Sequence, residues 1–137
     1  MNSTKRTEII CISAGCLLVL FAIGWLGISP LFSNWCSNQV ISQTLAPAKD
    51  LKVILFTRSC GATTAAYYHV SVLNAGDSLS NDDSGNVFVS DASPSLQWKD
   101  KRTLRITRRS AEKIFHEQKE ITVWPPFKNV RIEYAEK

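Results

Sequence analysis

The sequence predicts a mainly β protein: a single N-terminal membrane-spanning helix, then a small antiparallel β meander or sandwich with room for one short helix. Three observations predict it. Residues Ile9 to Ile28 carry no charged side chain. Beyond residue 50, short apolar or alternating runs recur between clusters of Gly, Pro, Asn, Asp and Ser. The chain has 137 residues, 45% of them hydrophobic and 20% charged, with a formal charge of +4. That is enough for one modest core and too little for multi-layer α/β enzymes, which take roughly 200 residues or more. With no repeat and no heptad, collagen-like and coiled-coil classes fall away, and the apolar content excludes a fully disordered chain.

The run from Ile9 to Ile28 rises about 1.5 Å per helical residue and so spans about 30 Å, the thickness of a bilayer's hydrocarbon core. Lys5 and Arg6 precede it and the next basic residue is Lys49, which by the positive-inside rule leaves the N-terminus cytoplasmic and exports the rest. Trp25 and Trp35 bracket the exit, where indole rings favour headgroups, and Ser29-Pro30 stops the helix. The divisions predicted are a tail (1–8), the membrane helix (9–28), an exit segment (29–50) and a β-rich extracytoplasmic domain (51–137). Rival readings are weaker. A cleaved signal has a shorter apolar core and a small-residue cleavage site. Lipidation at Cys16 would leave only Ile9 to Ile12 as its core. A buried soluble helix rarely runs uncharged for so long.

Leu51 to Phe56 is nearly all apolar, as in a central strand buried on both faces. Val70 and Val72 flank Ser71, and Val87 and Val89 flank Phe88. Leu104 and Ile106 flank Arg105, while Val130, Ile132 and Tyr134 alternate with Arg131 and Glu133. These are period-two strand patterns. Ala46 to Asp50, Asn74 to Asp77 and Asn81 to Asn86 read as turns. Ser110 to Lys119 is open between a short helix capped by Ser110 and a strand through Ile114 and Phe115. Trp124-Pro125-Pro126 is a break.

Cys11 and Cys16 fall inside the apolar run, which leaves Cys36 and Cys60 as an even pair in an oxidising compartment. Such a pair favours a disulfide. Closing about 25 residues, it would contribute about 3 kcal/mol. The competing reading makes Cys60 a nucleophile with His69 or His116 as base, Gly61 opening the backbone to an oxyanion. A disulfide has no thiolate, so the structural reading is preferred.

Cys60-Gly61-Ala62-Thr63-Thr64, the strand His69-Val70-Ser71-Val72-Leu73 and Gly85-Asn86-Val87-Phe88-Val89 together resemble a set of small bacterial envelope proteins grouped as a domain of unknown function. The resemblance covers roughly Cys36 to Tyr134. It implies an envelope location, a compact mostly β domain and an earlier cysteine at the position of Cys36, and it carries over no catalytic residue. Where many relatives have a Ser-Pro-Asp-Gly turn before the first strand, this chain has Ala46-Pro47-Ala48-Lys49-Asp50, without the glycine that such a turn uses.

Two further stretches invite function. Gly61, Thr63 and Thr64 offer small residues and hydroxyls for an anion-binding loop, although hydroxyls there also satisfy a tight turn. Lys99 to Lys113 holds seven cations (among them Lys99, Lys101, Arg102, Arg105, Arg108 and Arg109) against two carboxylates. Gathered on one face they would meet anionic lipid or an envelope polymer, and scattered they are a solvated strand surface. Aromatic residues are too sparse among them for a nucleic-acid partner. Asn81 to Asn86 lacks the spacing of a calcium loop, and no Cys-x-x-Cys supports a zinc site. No cofactor or metal is expected. The function expected is a non-enzymatic binding or structural protein of the inner membrane, its β domain periplasmic. An envelope inhibitor or immunity-type protein is the first alternative, a Cys60-dependent enzyme the second.

Overall fold

The computed structural model describes residues 36–61 and 65–137. The predicted tail, the membrane run Ile9–Ile28 and the start of the exit segment lie outside the described residues, as do Thr63 and Thr64. Among the described residues there are nine strands and no helix. They are β1 (Ser37–Leu45), β2 (Leu51–Ser59), β3 (Tyr67–Asn74), β4 (Phe88–Ser90), β5 (Ser95–Trp98), β6 (Thr103–Arg108), β7 (Ile114–Glu117), β8 (Glu120–Val123) and β9 (Lys128–Glu136). The protein is mainly β, as the sequence predicts.

The first sheet has the order β1-β2-β3-β4-β7 and is antiparallel throughout. The second has the order β5-β6-β9-β8. Its β5–β6 and β8–β9 pairs are antiparallel hairpins, but β6 and β9 run parallel, with Leu104 opposite Ile132 and Ile106 opposite Tyr134. The expected all-antiparallel arrangement is thus corrected at this one pair. Antiparallel neighbours need only a turn, whereas parallel ones need a long crossover, supplied here by everything from Arg109 to Phe127.

Alternation places Leu51, Val53 and Leu55 of β2, Val70 and Val72 of β3 and Phe88 of β4 in one buried cluster with Leu104 and Ile106 of β6 and Val130 and Ile132 of β9. The opposite face of the first sheet is buried too: Ile54 and Phe56 are 2% and 0% exposed, and His69, Ser71 and Val89 are buried beside them. The cover is the connection between β3 and β4. Its Asn86 side chain accepts from Val72 N–H and donates to Val72 C=O, pairing with β3 as a backbone would. Gly85 sits at φ 86°, and a Cβ there would stand 3.3 Å from that of His69. Only glycine combines that dihedral with so close an approach.

One expectation is revised and two open points are resolved. β1 lies within the predicted exit segment, so the β domain begins at Ser37 and not at Leu51. Between Ser110 and Lys119 the strand alternative is realised as β7, with no helix. The turn before β2 survives without glycine, because Lys49 itself adopts φ 57° while its N–H bonds Ala46 C=O at 2.8 Å. β1 is an edge strand exposed along nearly its whole length, and edges of this kind template unwanted pairing. A bulge between Val40 and Ser42 interrupts it. Near its ends, Asn81 Oδ1 takes the Asn38 N–H and the Trp98 indole donates to Thr44 C=O.

Candidate functional site

Strands β1 and β2 place Cys36 opposite Cys60, one step beyond the Ser37–Ser59 pair, and the two form a disulfide. The bond closes the ladder where the chain joins the domain. Gly61 follows at φ 109°, open to glycine alone. Beside the disulfide, Arg58 Nη1 donates to Asn38 Oδ1 at 3.0 Å and to the carbonyls of Asn81 and Asp83. Asn38 Nδ2 donates to the carbonyls of Ser80 and Asp83. Arg58 and Asn38 thus hold the β3–β4 connection down across β1 and β2.

In this oxidised state Cys60 offers no thiolate to either imidazole. His69 is buried, stacked on Phe56 with ring centroids 5.3 Å apart, and its Nδ1 lies 2.7 Å from Ser84 C=O, to which the Nδ1–H tautomer donates. Burial pushes its pKa below the ordinary imidazole value, with Arg58 adding to the effect. His116 pairs with Val89 in β7. Both imidazoles are thus components of the first sheet. Among the described residues no group of three His, Cys, Asp or Glu side chains is placed to hold a metal ion.

The basic stretch is not gathered on one face. Lys99, Lys101 and Arg102 lie in or beside the β5–β6 turn, whereas Arg108 and Arg109 lie at the other end of β6, about 20 Å away at 3.3 Å per residue. The arginines are largely committed. Arg105 pairs with Glu133 across the parallel ladder at 3.4 Å. Arg108 meets Glu117 at 2.7 Å and Glu136 at 3.4 Å and lies over the Tyr134 ring. Burial and the Glu117 carboxylate raise the Tyr134 pKa, so its hydroxyl stays protonated and donates to Gln118 C=O at 2.7 Å. Arg102 makes a two-pronged contact with Asp50, at 3.1 and 2.7 Å. Lys99, Lys101 and Arg109 remain exposed.

No family model, curated protein or solved structure matches this chain. Function must therefore be argued from its own geometry.

Asp50 organises the end opposite the disulfide. Besides Arg102, it receives Lys128 Nζ at 3.6 Å, and Lys128 also donates to Asp50 C=O and to Asn74 Oδ1. The Arg102 guanidinium holds the Asp50 carboxyl down at about 2, and Lys128 adds to the effect. Asn74 Nδ2 in turn donates to the carbonyls of Trp124 and Pro125 at 3.2 Å each. The β1–β2 turn, the β5–β6 turn and the β8–β9 hairpin thus meet at one polar hub. Above it the hairpin tip exposes Trp124 (62%) and Phe127 (76%), their rings 4.3 Å apart. The sequence reading took Trp124-Pro125-Pro126 as punctuation and missed this pair. Its signal was four consecutive apolar residues, Trp124 to Phe127, at a site where no strand can continue to bury them.

Proposed function

We propose that the chain is a single-pass protein of a bacterial cell envelope, its N-terminus cytoplasmic and its β domain outside the inner membrane, acting there as a non-enzymatic binding or structural module. The observation that carries the reading is the Cys36–Cys60 disulfide, since such bonds persist in oxidising compartments and are rare in the cytosol. The charge-free run Ile9–Ile28 behind Lys5 and Arg6 supports an anchor of that orientation. The resemblance to small envelope proteins agrees with it. An uncleaved anchor also holds the domain near the bilayer, which raises its effective concentration for membrane-bound partners.

Alkaline carbonate extraction of membranes from expressing cells, followed by protease treatment of spheroplasts, tests the reading. The expected result is a carbonate-resistant chain of full mass whose β domain is cut from outside. A chain released by carbonate, or protected in intact spheroplasts, contradicts it.

A further inference from the structure

We propose that the end of the domain opposite the disulfide is a docking surface for an anionic lipid bilayer, with Trp124 and Phe127 entering the headgroup region and Lys49, Lys99 and Lys101 meeting lipid phosphates. The proposal rests on the membrane-module reading: with the tether at Cys36 and the contact one length of β1 away, about 30 Å, docking lays the domain along the bilayer surface. Three observations carry it. The two rings are exposed, packed against each other at a tilt of 56° with centroids 4.3 Å apart, and held on the tip of the β8–β9 hairpin. An indole, apolar but for one N–H, favours the membrane interface, and the Phe127 ring beside it adds apolar surface to bury there.

The tip is also rigidly seated, because Asn74 fixes two of its carbonyls and Lys128, at its base, is locked to Asp50 and Asn74. Little conformational freedom is left to lose on docking. The third observation is charge. Asp50 is spent on Arg102 and Lys128. Among the described residues Lys49, Lys99 and Lys101 are exposed and carry no ion pair, against Asp77 and Asp100 at the same end. Asp77 is engaged by Asn74 Nδ2, and Asp100 by the Arg102 backbone N–H. Basic residues close to an anionic bilayer add attraction that salt screens within about a Debye length. At the disulfide end Arg108 is matched by two carboxylates while Arg109 is exposed, so what singles out the hub end is the greater exposure of its rings, 62% and 76% against 45% for Phe115.

The test uses the full chain with Cys11→Ser, Cys16→Ser and Pro125→Cys, the new thiol carrying an environment-sensitive fluorophore. Two vesicle types are compared, phosphatidylcholine alone and phosphatidylcholine mixed with phosphatidylglycerol. The expected result is a rise in emission of about two-fold or more on the anionic vesicles only, reversed by high salt. The rise is also lost with Lys49→Ser, Lys99→Ser and Lys101→Ser combined, or with Trp124→Ser and Phe127→Ser combined. Thermal melts of these variants, whose substituted residues are exposed, confirm that they fold. Equal emission on both vesicle types overturns the proposal, as does a rise indifferent to the lysine substitutions. A response to soluble dextran sulfate but not to anionic vesicles also overturns it, and assigns the surface to a polyanion. Flotation with phosphatidylcholine vesicles alone separately reads the anchor, so either reading can fail while the other stands.

Discussion

The two ends of the β domain are held together by different means. At one end, where the chain joins the domain, the Cys36–Cys60 bond closes the β1–β2 ladder, Arg58 clamps three partners, and Arg108 is neutralised by Glu117 and Glu136. At the other, three turns converge on the single carboxylate of Asp50, and the surface presents exposed aromatic rings and lysines that have no ion pair among the described residues. The difference teaches where the molecule is fastened and where it is free to make contacts. A cross-link and a clamped connection suit an attachment point. Unmatched cations around exposed rings are a feature that folding alone does not require, and they suit a contact with something else.

Severing the covalent end has the largest expected effect. Cys36→Ser with Cys60→Ser lowers stability in urea denaturation by about 3 kcal/mol, the entropy of a loop this long, whereas a loss below about 1 kcal/mol would mean that the noncovalent contacts at that end suffice. At the opposite end Asp50→Asn costs about 1–2 kcal/mol, a figure kept modest because the pair is partly open to solvent. The same group predicts an acid limb. A carboxyl held down at about 2 contributes fully above its ordinary value near 3.8 and loses that contribution as pH falls between the two. Stability measured from pH 5 to pH 2 therefore declines in the parent more steeply than in the Asp50→Asn variant, and parallel curves would remove Asp50 from the hub.

Lys49→Gly tests the turn that feeds the hub. Relieving a non-glycine residue at φ 57° raises the melting temperature, a gain of up to about 1 kcal/mol set against the added freedom of the unfolded chain. A fall instead would show that the lysine side chain supports the turn. The smallest effect belongs between the two ends. Arg105 and Glu133 are both substantially exposed at 3.4 Å, so Arg105→Gln shifts stability by less than about 0.5 kcal/mol in the same urea assay.

How much of this was legible depends on burial. β2, β3, β6 and β9 announce themselves because each buries at least one face, which writes period two or a solid apolar run into the sequence. β1 does not, since its polar and apolar residues alike are exposed on an edge and no periodicity is imposed. The direction of β6 against β9 was equally illegible, because alternation fixes faces and not partners. The pairing of Cys36 with Cys60 could be inferred from two thiols and a compartment. The Asp50 hub could not, because it joins residues 50, 74, 102 and 128, which meet only once both sheets are folded. For the same reason the sequence left open whether the basic stretch is one patch or a solvated strand surface, and in space it is split by the length of β6.

The most direct measurement counts thiols on the full-length chain from cells lysed into acid, denatured and alkylated with a mass tag without reduction. The account predicts two tags, on Cys11 and Cys16, rising to four after reduction. Four tags before reduction would mean that Cys36 and Cys60 live in a reducing compartment, and the reading of an exported, cross-linked domain would fall with them.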